Sequence, residues 1–402
     1  MSIYDPENIK DIQSFVFSRI ESREQLRVCG NCSRQLTPAS KYSDNLPVDI
    51  LSIKNLNKTR FFDPDDMVVG VEAGMSIKTL QNMVRESNML LPINPWYPDS
   101  CIGSVVACND FGPNRMFMGG LRDCIIGIEY INGKGELVTA GGKVVKNVSG
   151  YDLTRMMLGS QGGLGVITAL NFKVLPNPVE PCGMFGIFQN EDWLFKVKEL
   201  LARRLPIDWI QGVTADNSRW SLGLGYSGNL AKRKRIEREI REVFGECMDI
   251  FPDGESFSAK TFNPGERRFE GFLKETRDAA GLNDSCFHIF ATLPTEEILS
   301  FPFEIFHKEG FRMVVHPAGG DIHFMHKSSQ DKNHLEHLEK IKTSLSHPDG
   351  KLRWVSSGNE GTFQALGKFG VANGYKLSKR LKQHLDPSNV FFSPYYDLDF
   401  DL

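Results

Sequence analysis

Glycine-punctuated turns dominate residues 92–178, and they constrain the fold of this 402-residue chain more than any other feature. Pro98–Gly112 (PDSCIGSVVACNDFG), Gly119–Gly127 (GGLRDCIIG) and Gly141–Thr168 (GGKVVKNVSGYDLTRMMLGSQGGLGVIT) each break up short apolar stretches, and Gly30–Arg34 (GNCSR) does the same nearer the start. A chain interrupted this often cannot form long helices, so it must be built from short strands and tight turns. Glycine permits positive φ and lets a backbone amide come close to a ligand. Successive turn amides form a concave nest for a phosphate. Several such turns in one domain suit a long dinucleotide with two phosphates, and they equally suit a domain that simply has many tight turns. No GxGxxG lies between a strand and a helix near the start, and no P-loop is present. The nearest string, Gly162-Gly163-Leu164-Gly165, runs into a strand.

Around this region the elements can be read from periodicity. Asp5 and Pro6 are placed to open a helix carrying Ile9, Ile12, Val16 and Ile20. Leu26–Val28 and Met67–Glu72 read as strands, and Ser76 caps a helix with Ile77, Leu80 and Val84 on one face. Cys124–Tyr130 and Glu136–Thr139 form a hairpin across Asn132-Gly133. Gly165–Leu175 is a further strand, closed by Pro176, Pro178 and Pro181, where we place a domain boundary.

Beyond it the pattern changes to alternating strands and helices. Met184–Phe188 reads as strand and Trp193–Leu201 as helix. Trp220, Leu222, Leu224 and Tyr226 form one face of a strand. A helix with Ile236, Ile240, Val243 and Phe244 follows, stopped by Gly245. Then come strand Cys286–Leu293, a helix over Thr295–His307 broken at Pro302, a hairpin of Arg312–His316 and Asp321–His326, a helix with Leu335, Leu338 and Ile341, and strand Lys351–Val355. The later part spells strand–helix–strand–strand–helix–strand, the ferredoxin-like order, and the earlier part is a weaker copy. The run Lys232–Arg241 holds six basic residues, with Glu237 and Glu239 interleaved. It offers a docking face for an acidic partner or, alternatively, a solvated helix face.

Composition narrows the function classes. Apolar residues make up 41% and charged residues 24%, an ordinary globular balance. Lys plus Arg number 47 against 50 Asp plus Glu, a net charge of -3, so no global basic field draws in nucleic acid or anionic lipid. No apolar run approaches a membrane span, and MSIYDPENIK lacks a signal-peptide pattern. The expectation is a soluble, cytoplasmic chain, able to sit at the inner face of a membrane only through partners. Eight cysteines are too sparse for a disulfide scaffold. The lone pair Cys29/Cys32 has no second ligand pair for zinc, because no His precedes His288.

The strings FDPDD (Phe62–Asp66), VEAG (Val71–Gly74), CIGS (Cys101–Ser104), GLRD (Gly120–Asp123), KNVSGYDLTRMMLGSQGGLGVIT (Lys146–Thr168) and KVLPNP (Lys173–Pro178) resemble the FAD-linked oxidases of the p-cresol methylhydroxylase (PCMH) and vanillyl-alcohol oxidase type. LDPSNVFFSP (Leu385–Pro394) resembles that family's closing segment. The likeness is greatest to the short flavin subunits of glycolate oxidase. It implies an α+β fold: a two-subdomain FAD-binding PCMH-type domain (residues 1–178), an α+β cap with ferredoxin-like units (179–375), and a C-terminal segment (376–402) returning to the FAD domain. It implies FAD, held noncovalently, since no His is available in the first half for a histidyl link; Cys101 is the one alternative attachment point.

The resemblance also implies residue roles. Gly30, Asn31, Cys32, Ser33 and Arg34 match the first pyrophosphate loop, with Asn31 tolerating positive φ and Arg34 supplying a charge. Cys101, Ile102, Gly103 and Ser104 match the next turn, where Ser104 replaces a usual glycine. Asn109 and Gly112 match a flavin-contacting turn. Gly162, Gly165, Val166 and Ile167 match the strand whose backbone reads the adenine end. In the cap, His316-Pro317-Ala318-Gly319-Gly320-Asp321-Ile322-His323 resembles a worn form of the related catalytic segment. His316, Asp321 and His323 are the candidate catalytic residues. Two His and an Asp on a hairpin can hold a divalent metal, with Glu360 as a further ligand. The same residues also fit an ordinary polar hairpin, and no metal is assigned.

Three functions follow from the resemblance. The first is the FAD-binding subunit of a glycolate- or lactate-type 2-hydroxy-acid dehydrogenase, a CH–OH oxidoreductase working with a second FAD subunit and an iron–sulfur subunit. The second is a self-sufficient FAD-dependent oxidase or dehydrogenase. The third is a flavin-poor scaffold subunit. The cap's sparse catalytic set favours the first over the second.

Overall fold

In the computed structural model, the described residues are 2–31, 48–95, 99–112, 114–143, 153–214, 219–250, 286–327, 336, 340–341, 343–345, 351–356, 375–393 and 396. The chain divides into two compact units. One comprises Met1–Gly112, Gly119–Asn177 and Asn359–Leu402, and the other Pro113–Met118 and Pro178–Gly358. The sequence reading leaves residues 113–118 in the first domain, but the structure clusters these six with the second. Among the described residues no helix is long and apolar enough to cross a membrane.

The first unit opens with strands β1 (Ile3–Tyr4), β2 (Leu26–Cys29) and β3 (Asp49–Ser52), joined as a parallel sheet in the order β1-β3-β2. The helix between the first two strands runs Ile9–Ser22 and buries Ile12 and Val16. Its cap is Asn8, whose side chain accepts from the Asp11 amide. Asp5, the cap expected from the sequence, instead pairs with Lys54 at 2.8 Å. Next come β4 (Thr59–Asp63), β5 (Val68–Glu72), the short β6 (Met89–Leu90), β7 (Ile125–Ile131), β8 (Leu137–Gly141), β9 (Val166–Lys173) and β10 (Leu175–Pro176). Five of them form an antiparallel sheet in the order β4-β5-β9-β7-β8, and β6 pairs with β10. Ser76 caps helix Ile77–Glu86 by accepting from the Thr79 amide. Asn132 sets the β7–β8 turn, its side-chain Oδ1 accepting from the Lys134 and Glu136 amides.

The closing segment is fixed by a buried charge pair. Helix Tyr375–Leu385 ends at Asp386, which accepts from the Val390 and Phe391 amides at 2.9 and 2.8 Å. Lys382, also buried, is 2.6 Å from Asp386 and donates to the Phe391 carbonyl. The tight loop so formed presents residues 390–392 to the edge of β2: Leu26 donates to Val390 and accepts from Phe392. The Gly133 amide donates to Leu385, so the β7–β8 turn docks on the same loop.

The second unit holds β11 (Cys182–Phe188), β12 (Ile207–Thr214), β13 (Trp220–Tyr226), β14 (Asp249–Ile250), β15 (Cys286–Thr292), β16 (Arg312–His316), β17 (Asp321–Lys327) and β18 (Lys351–Ser356). They make one antiparallel sheet in the order β14-β11-β13-β12-β16-β17-β15-β18. The first four strands are arranged 4-1-3-2 and the last four 2-3-1-4, which is two ferredoxin-like units joined edge to edge. Their seam is β12 against β16, paired at Gly212/Val315 and Val213/Val314 and tied by Met313 N–H to Thr214 Oγ1 at 2.7 Å. Helices Trp193–Ala202, Leu230–Phe244 and Phe303–Lys308 bury Trp193, Phe244 and Phe303 against one face. That face carries Trp220, Leu222, Leu224 and Tyr226, none with any exposure. Trp220 lies 5.3 Å from Trp193 and 5.4 Å from Phe303, ring to ring.

The basic helix is largely neutralised. Glu239 and Glu242 pair with Arg203, Arg235 and Arg238, and Arg233 pairs with Glu180. Helix residues thus form a mixed-charge, largely solvated face.

Breaking one member of a buried ion pair leaves the other charge stranded, at a cost of roughly 3–5 kcal/mol. Lys382→Met should therefore lower stability by about that amount and release the closing segment. Urea unfolding and limited proteolysis near residue 390 measure both, and a loss under ~1 kcal/mol would contradict the role given to this pair.

Candidate functional site

In the first unit, turns distant in sequence converge. A side chain at Gly30 would stand 2.9 Å from Cys101 Cβ and Sγ and 3.6 Å from Ser104 Cβ. Asn31 Nδ2 donates to the Asp99 carbonyl at 2.7 Å. Cys101 precedes helix Ile102–Cys108 in extended conformation and is buried. The Ile102 and Gly103 amides donate to the Met75 and Ala73 carbonyls, both at 2.8 Å. A Cβ on Gly103 would meet Ala73 Cβ at 2.9 Å, so what Gly103 provides in this structure is tight helix packing. Asn109 ends the helix with φ 53°. Gly112 lies under Asn94, whose carbonyl oxygen a Cβ would meet at 1.8 Å.

The loop from residue 159 to 165 joins these pieces. The Gly159 and Gln161 amides donate to Val106 and Ala107, the end of the same helix. Gly159, Gln161 and Gly162 have φ of 75°, 51° and 76°, a run of left-handed backbone in which a β-carbon is disfavoured. An added Cβ would meet nothing closer than Asn109 Cβ at 3.8 Å at Gly159, which is exposed, and would make an ordinary contact with Val28 at 3.5 Å at Gly162, which is buried. Ser160 is buried and its Oγ has no hydrogen-bond partner among the described residues. An unpaired buried hydroxyl is costly unless a ligand or water completes it. Left-handed backbone at an exposed glycine and an unsatisfied buried hydroxyl beside it are features that fit a polar cofactor such as FAD. Gly165, at φ 153°, has a different constraint: a Cβ there would come 2.6 Å from the Ile131 carbonyl oxygen. Substitution would break strand entry first, whereas the family resemblance points to crowding of the cofactor. Val166 and Ile167 pair with Ile131 and Tyr130 in β9–β7. Cys32, Ser33, Arg34, Lys146–Asp152 and Glu360 lie outside the described residues.

In the second unit His316, Asp321 and His323 come together as one cluster, their ligand atoms all within 4.8 Å of one another. Strand register explains it. Gly212 faces Val315, which sets Gln211 opposite His316, and His316 faces Asp321 directly. Alternation then places His323 beside Asp321, and Phe290 faces His323. The result is a polar row across β12, β16, β17 and β15, on the face opposite the helices named above. His316 Nε2 lies 2.8 Å from Gln211 Oε1, and its Nδ1 bonds Asp321 Oδ2. His323 Nε2 lies 3.6 Å from the same carboxylate oxygen, and its Nδ1 lies 3.0 Å from His288 Nε2. His323 also stacks on Phe290, 4.8 Å away. Gln211, His288, His316, Asp321 and His323 are at most 2% exposed.

Burial pushes the Asp321 carboxyl up, but the His316 charge and the hydrogen bonds from His316 and His323 outweigh it and hold it at about 2. Both nitrogens of His316 have a hydrogen-bond partner, with donor and acceptor roles set by the tautomer. The cluster is a hydrogen-bonded relay that can hold or pass a proton, and its three ligand atoms could also meet a cation. Asp321 Oδ1 and Gln211 Nε2 have no hydrogen-bond partner among the described residues. Arg115, from the six-residue excursion, donates from Nη1 to the Gly319 carbonyl at 3.1 Å, in the turn between His316 and Asp321. Sequence reading missed Gln211, His288 and Arg115. Alternation within β12 and β15 was the available signal, but pairing across the seam requires the register.

Comparison with known proteins fits the first unit's geometry. The family model "FAD binding domain" matches residues 3–141. The chain is 31% identical to the glycolate oxidase subunit GlcE of Escherichia coli (strain K12) over 44% of the chain and 50% of that protein. It is 30% identical to glycolate oxidase subunit GlcD of Bacillus subtilis (strain 168) over 85% of the chain and 77% of that protein. It is 33% identical to the D-2-hydroxyglutarate dehydrogenase of Xanthomonas citri pv. viticola over 40% of the chain and 34% of that protein. The match to GlcE thus spans half of that relative, and the match to the hydroxyglutarate dehydrogenase about a third. Among solved structures, alkyldihydroxyacetonephosphate synthase shares the fold, with a TM-score of 0.66 at 12% identity over 97% of the chain and 76% of that protein.

Because the folded-state carboxyl of Asp321 is depressed from 3.8 to about 2, its stabilisation is complete above the unfolded value and disappears as pH falls through the folded one. Asp321→Asn should cost roughly 3–5 kcal/mol at pH 6, and the part carried by the shifted carboxyl, about 2–3 kcal/mol, should vanish between pH 4 and pH 2. Denaturant unfolding of both proteins across that range checks it; a pH-independent gap would contradict the ion-paired carboxylate.

Proposed function

Because the chain belongs to the FAD-linked oxidase family, we propose that it is the FAD-bearing subunit of a 2-hydroxy-acid dehydrogenase. The observation that carries this reading is the 159–165 loop, with left-handed backbone at Gly159, Gln161 and Gly162, an exposed Gly159, and a buried Ser160 hydroxyl unpaired among the described residues. Gly30, Asn31, Cys101 and Ser104 are gathered near the same helix, and the sequence match names FAD as the ligand. The bond to the cofactor is noncovalent: His288 is the first histidine of the chain, and it belongs to the second unit.

FAD, when bound, supplies the two-electron acceptor. Oxidising a 2-hydroxy acid to the 2-oxo acid also requires taking the hydroxyl proton and holding the carboxylate. The His316–Asp321–His323 relay is the proton-handling candidate. Its near-complete burial, with each His316 nitrogen already bonded, supports slow turnover by the chain alone. Glycolate and D-lactate are the substrate types suggested by the glycolate oxidase subunits and a D-lactate dehydrogenase among the relatives. On this reading electrons leave through partner chains, a second FAD subunit and an iron–sulfur subunit.

Two measurements test the proposal. Acid precipitation of the purified chain should release yellow flavin into the supernatant; colour retained in the pellet would contradict a noncovalent link, and colourless protein would support the scaffold alternative. Anaerobic mixing of the flavin-loaded chain with glycolate or D-lactate should bleach the flavin slowly or not at all, and much faster once partner subunits are present. Loss of a positioned acid–base group costs about 10²- to 10⁴-fold in rate. Fast bleaching by the lone chain, abolished in His323→Ala, would identify a self-sufficient enzyme instead.

A further inference from the structure

We infer that helix Tyr375–Leu385 is the docking face for an acidic electron-accepting protein. The inference rests on the reading above that electrons leave through partner chains, and it adds the surface at which they leave. Three observations carry it. First, the charge is one-sided: the helix holds Lys376, Lys379, Arg380 and Lys382, and no Asp or Glu occurs from residue 361 to residue 385. Second, part of that charge is presented outward. Leu377, Arg380 and His384 share one helix face at spacings of three and four residues, and all three are exposed, Leu377 at 65%. Arg380 and His384 pair with no acid among the described residues. Lys382, on the inward face, is taken up by Asp386. Third, the helix belongs to the unit that contains the flavin loop. Residues 390–392 flank Leu26, and Ser393 and Tyr396 crowd Gly163 of the 159–165 loop, so docking face and loop are joined by one short stretch of chain.

The other basic helix shows the difference. On Leu230–Phe244, Arg235 and Arg238 each meet a glutamate four residues on. The closing helix has no acid in its own sequence, so its field reaches solvent. Lys134, exposed in the turn whose Gly133 amide meets Leu385, adds to that field, while Glu136 of the same turn is bonded by Asn132. The whole chain carries a net charge of -3, so this is a local patch that orients one face toward an acidic surface. A lipid surface fits it less well. An interfacial helix buries a broad apolar face, and the outward side here offers Leu377 as its one large exposed apolar group. An apolar side chain ringed by basic groups is instead the make-up of a charge-steered protein contact. Each hydroxy-acid oxidation yields two electrons and two protons; the electrons pass singly to two acceptor molecules, and the protons go to solvent.

The probes are an acidic blue-copper protein and, as its charge-inverted counterpart, the basic cytochrome c. The flavin-loaded chain is reduced with dithionite, so no substrate is needed. Its reoxidation by each probe is timed at low and high salt for the parent, Arg380→Glu and Arg235→Glu, with flavin content and melting temperature followed alongside. Both variants change the net charge equally, and only the first touches the closing helix. Electrostatic steering is worth roughly 10- to 1,000-fold in association rate and is screened by salt. With the acidic probe at low salt, Arg380→Glu should slow reoxidation by about 3- to 10-fold, the deficit should fade at high salt, and Arg235→Glu should match the parent. With cytochrome c, Arg380→Glu should be no slower than the parent. Equal slowing in both variants marks a net-charge effect and overturns the docking face, as does an unchanged rate in Arg380→Glu. If Arg380→Glu does not fold, Arg380→Gln decides by the same criterion. Sedimentation of the parent with phosphatidylserine vesicles, lost in Arg380→Glu, overturns the protein partner in favour of a membrane. A colourless parent overturns this inference together with the flavin-subunit reading; a flavin-loaded parent indifferent to Arg380→Glu overturns only the docking face.

Discussion

The cofactor side of this protein depends on left-handed backbone that its neighbours hold in place. The loop 159–165 gains its hold from amides of Gly159 and Gln161 bonded to the end of helix Ile102–Cys108, and from Gly163 pressed on Ser393 and Tyr396. Its φ values of 75°, 51° and 76° at Gly159, Gln161 and Gly162 then turn the chain through conformations that disfavour a β-carbon. The rest of the unit serves to keep these supports in register. β9 leaves the loop directly into the five-stranded sheet, and the Lys382–Asp386 pair brings residues 390–392 onto β2 at Leu26. A stranded charge in that pair would therefore be felt at the cofactor loop as well as at the C-terminus.

The second unit solves a different problem, placing polar residues in a nearly dry interior. Isolated, a buried His or Asp would be expensive. Here the cost is offset by pairing along one face of the sheet: Gln211 with His316, His316 with Asp321, and His323 with His288. The row crosses the seam between the two ferredoxin-like halves, so it also ties them together where the backbone ladder is short. Chemical capacity and architecture share the same residues, and a change at His316 or Asp321 will read out in stability as well as in chemistry.

Much of this was legible in the sequence, and the limits have physical causes. Alternation identified the aromatic face at Trp220, Leu222, Leu224 and Tyr226, and the strand–helix order identified the ferredoxin-like halves, because both are short-range patterns. Ser76 was legible as a cap. Asp5 was not the cap, since the helix begins four residues later at Ile9 and Asn8 is the residue whose oxygen reaches the free amides. Glycine-rich strings pointed to a nucleotide domain, yet could not separate the exposed Gly159, where an added Cβ would meet nothing closer than 3.8 Å, from Gly103 and Gly165, which are glycine because protein atoms crowd them. Gln211, His288 and Arg115 were silent, because each joins the relay or its turn only through long-range register or an excursion of the chain. The segments Cys32–Arg34 and Lys146–Asp152, which carry part of the family likeness, fall outside the described residues.

The central claim is that the 159–165 loop holds the flavin, and an exposed glycine in that loop tests it. Gly159 and Gly245 are both exposed, with φ of 75° and 69°; an added Cβ would meet nothing closer than Asn109 Cβ at 3.8 Å at Gly159 and nothing within 4 Å at Gly245. Aspartate at either site carries the strain of a positive φ, but only at Gly159 would it meet a cofactor phosphate or ring. The direct measurement is the flavin-to-protein ratio of purified, folded Gly159→Asp and Gly245→Asp. The account predicts that Gly159→Asp is colourless while Gly245→Asp keeps the parent ratio; equal flavin in the two variants would contradict it.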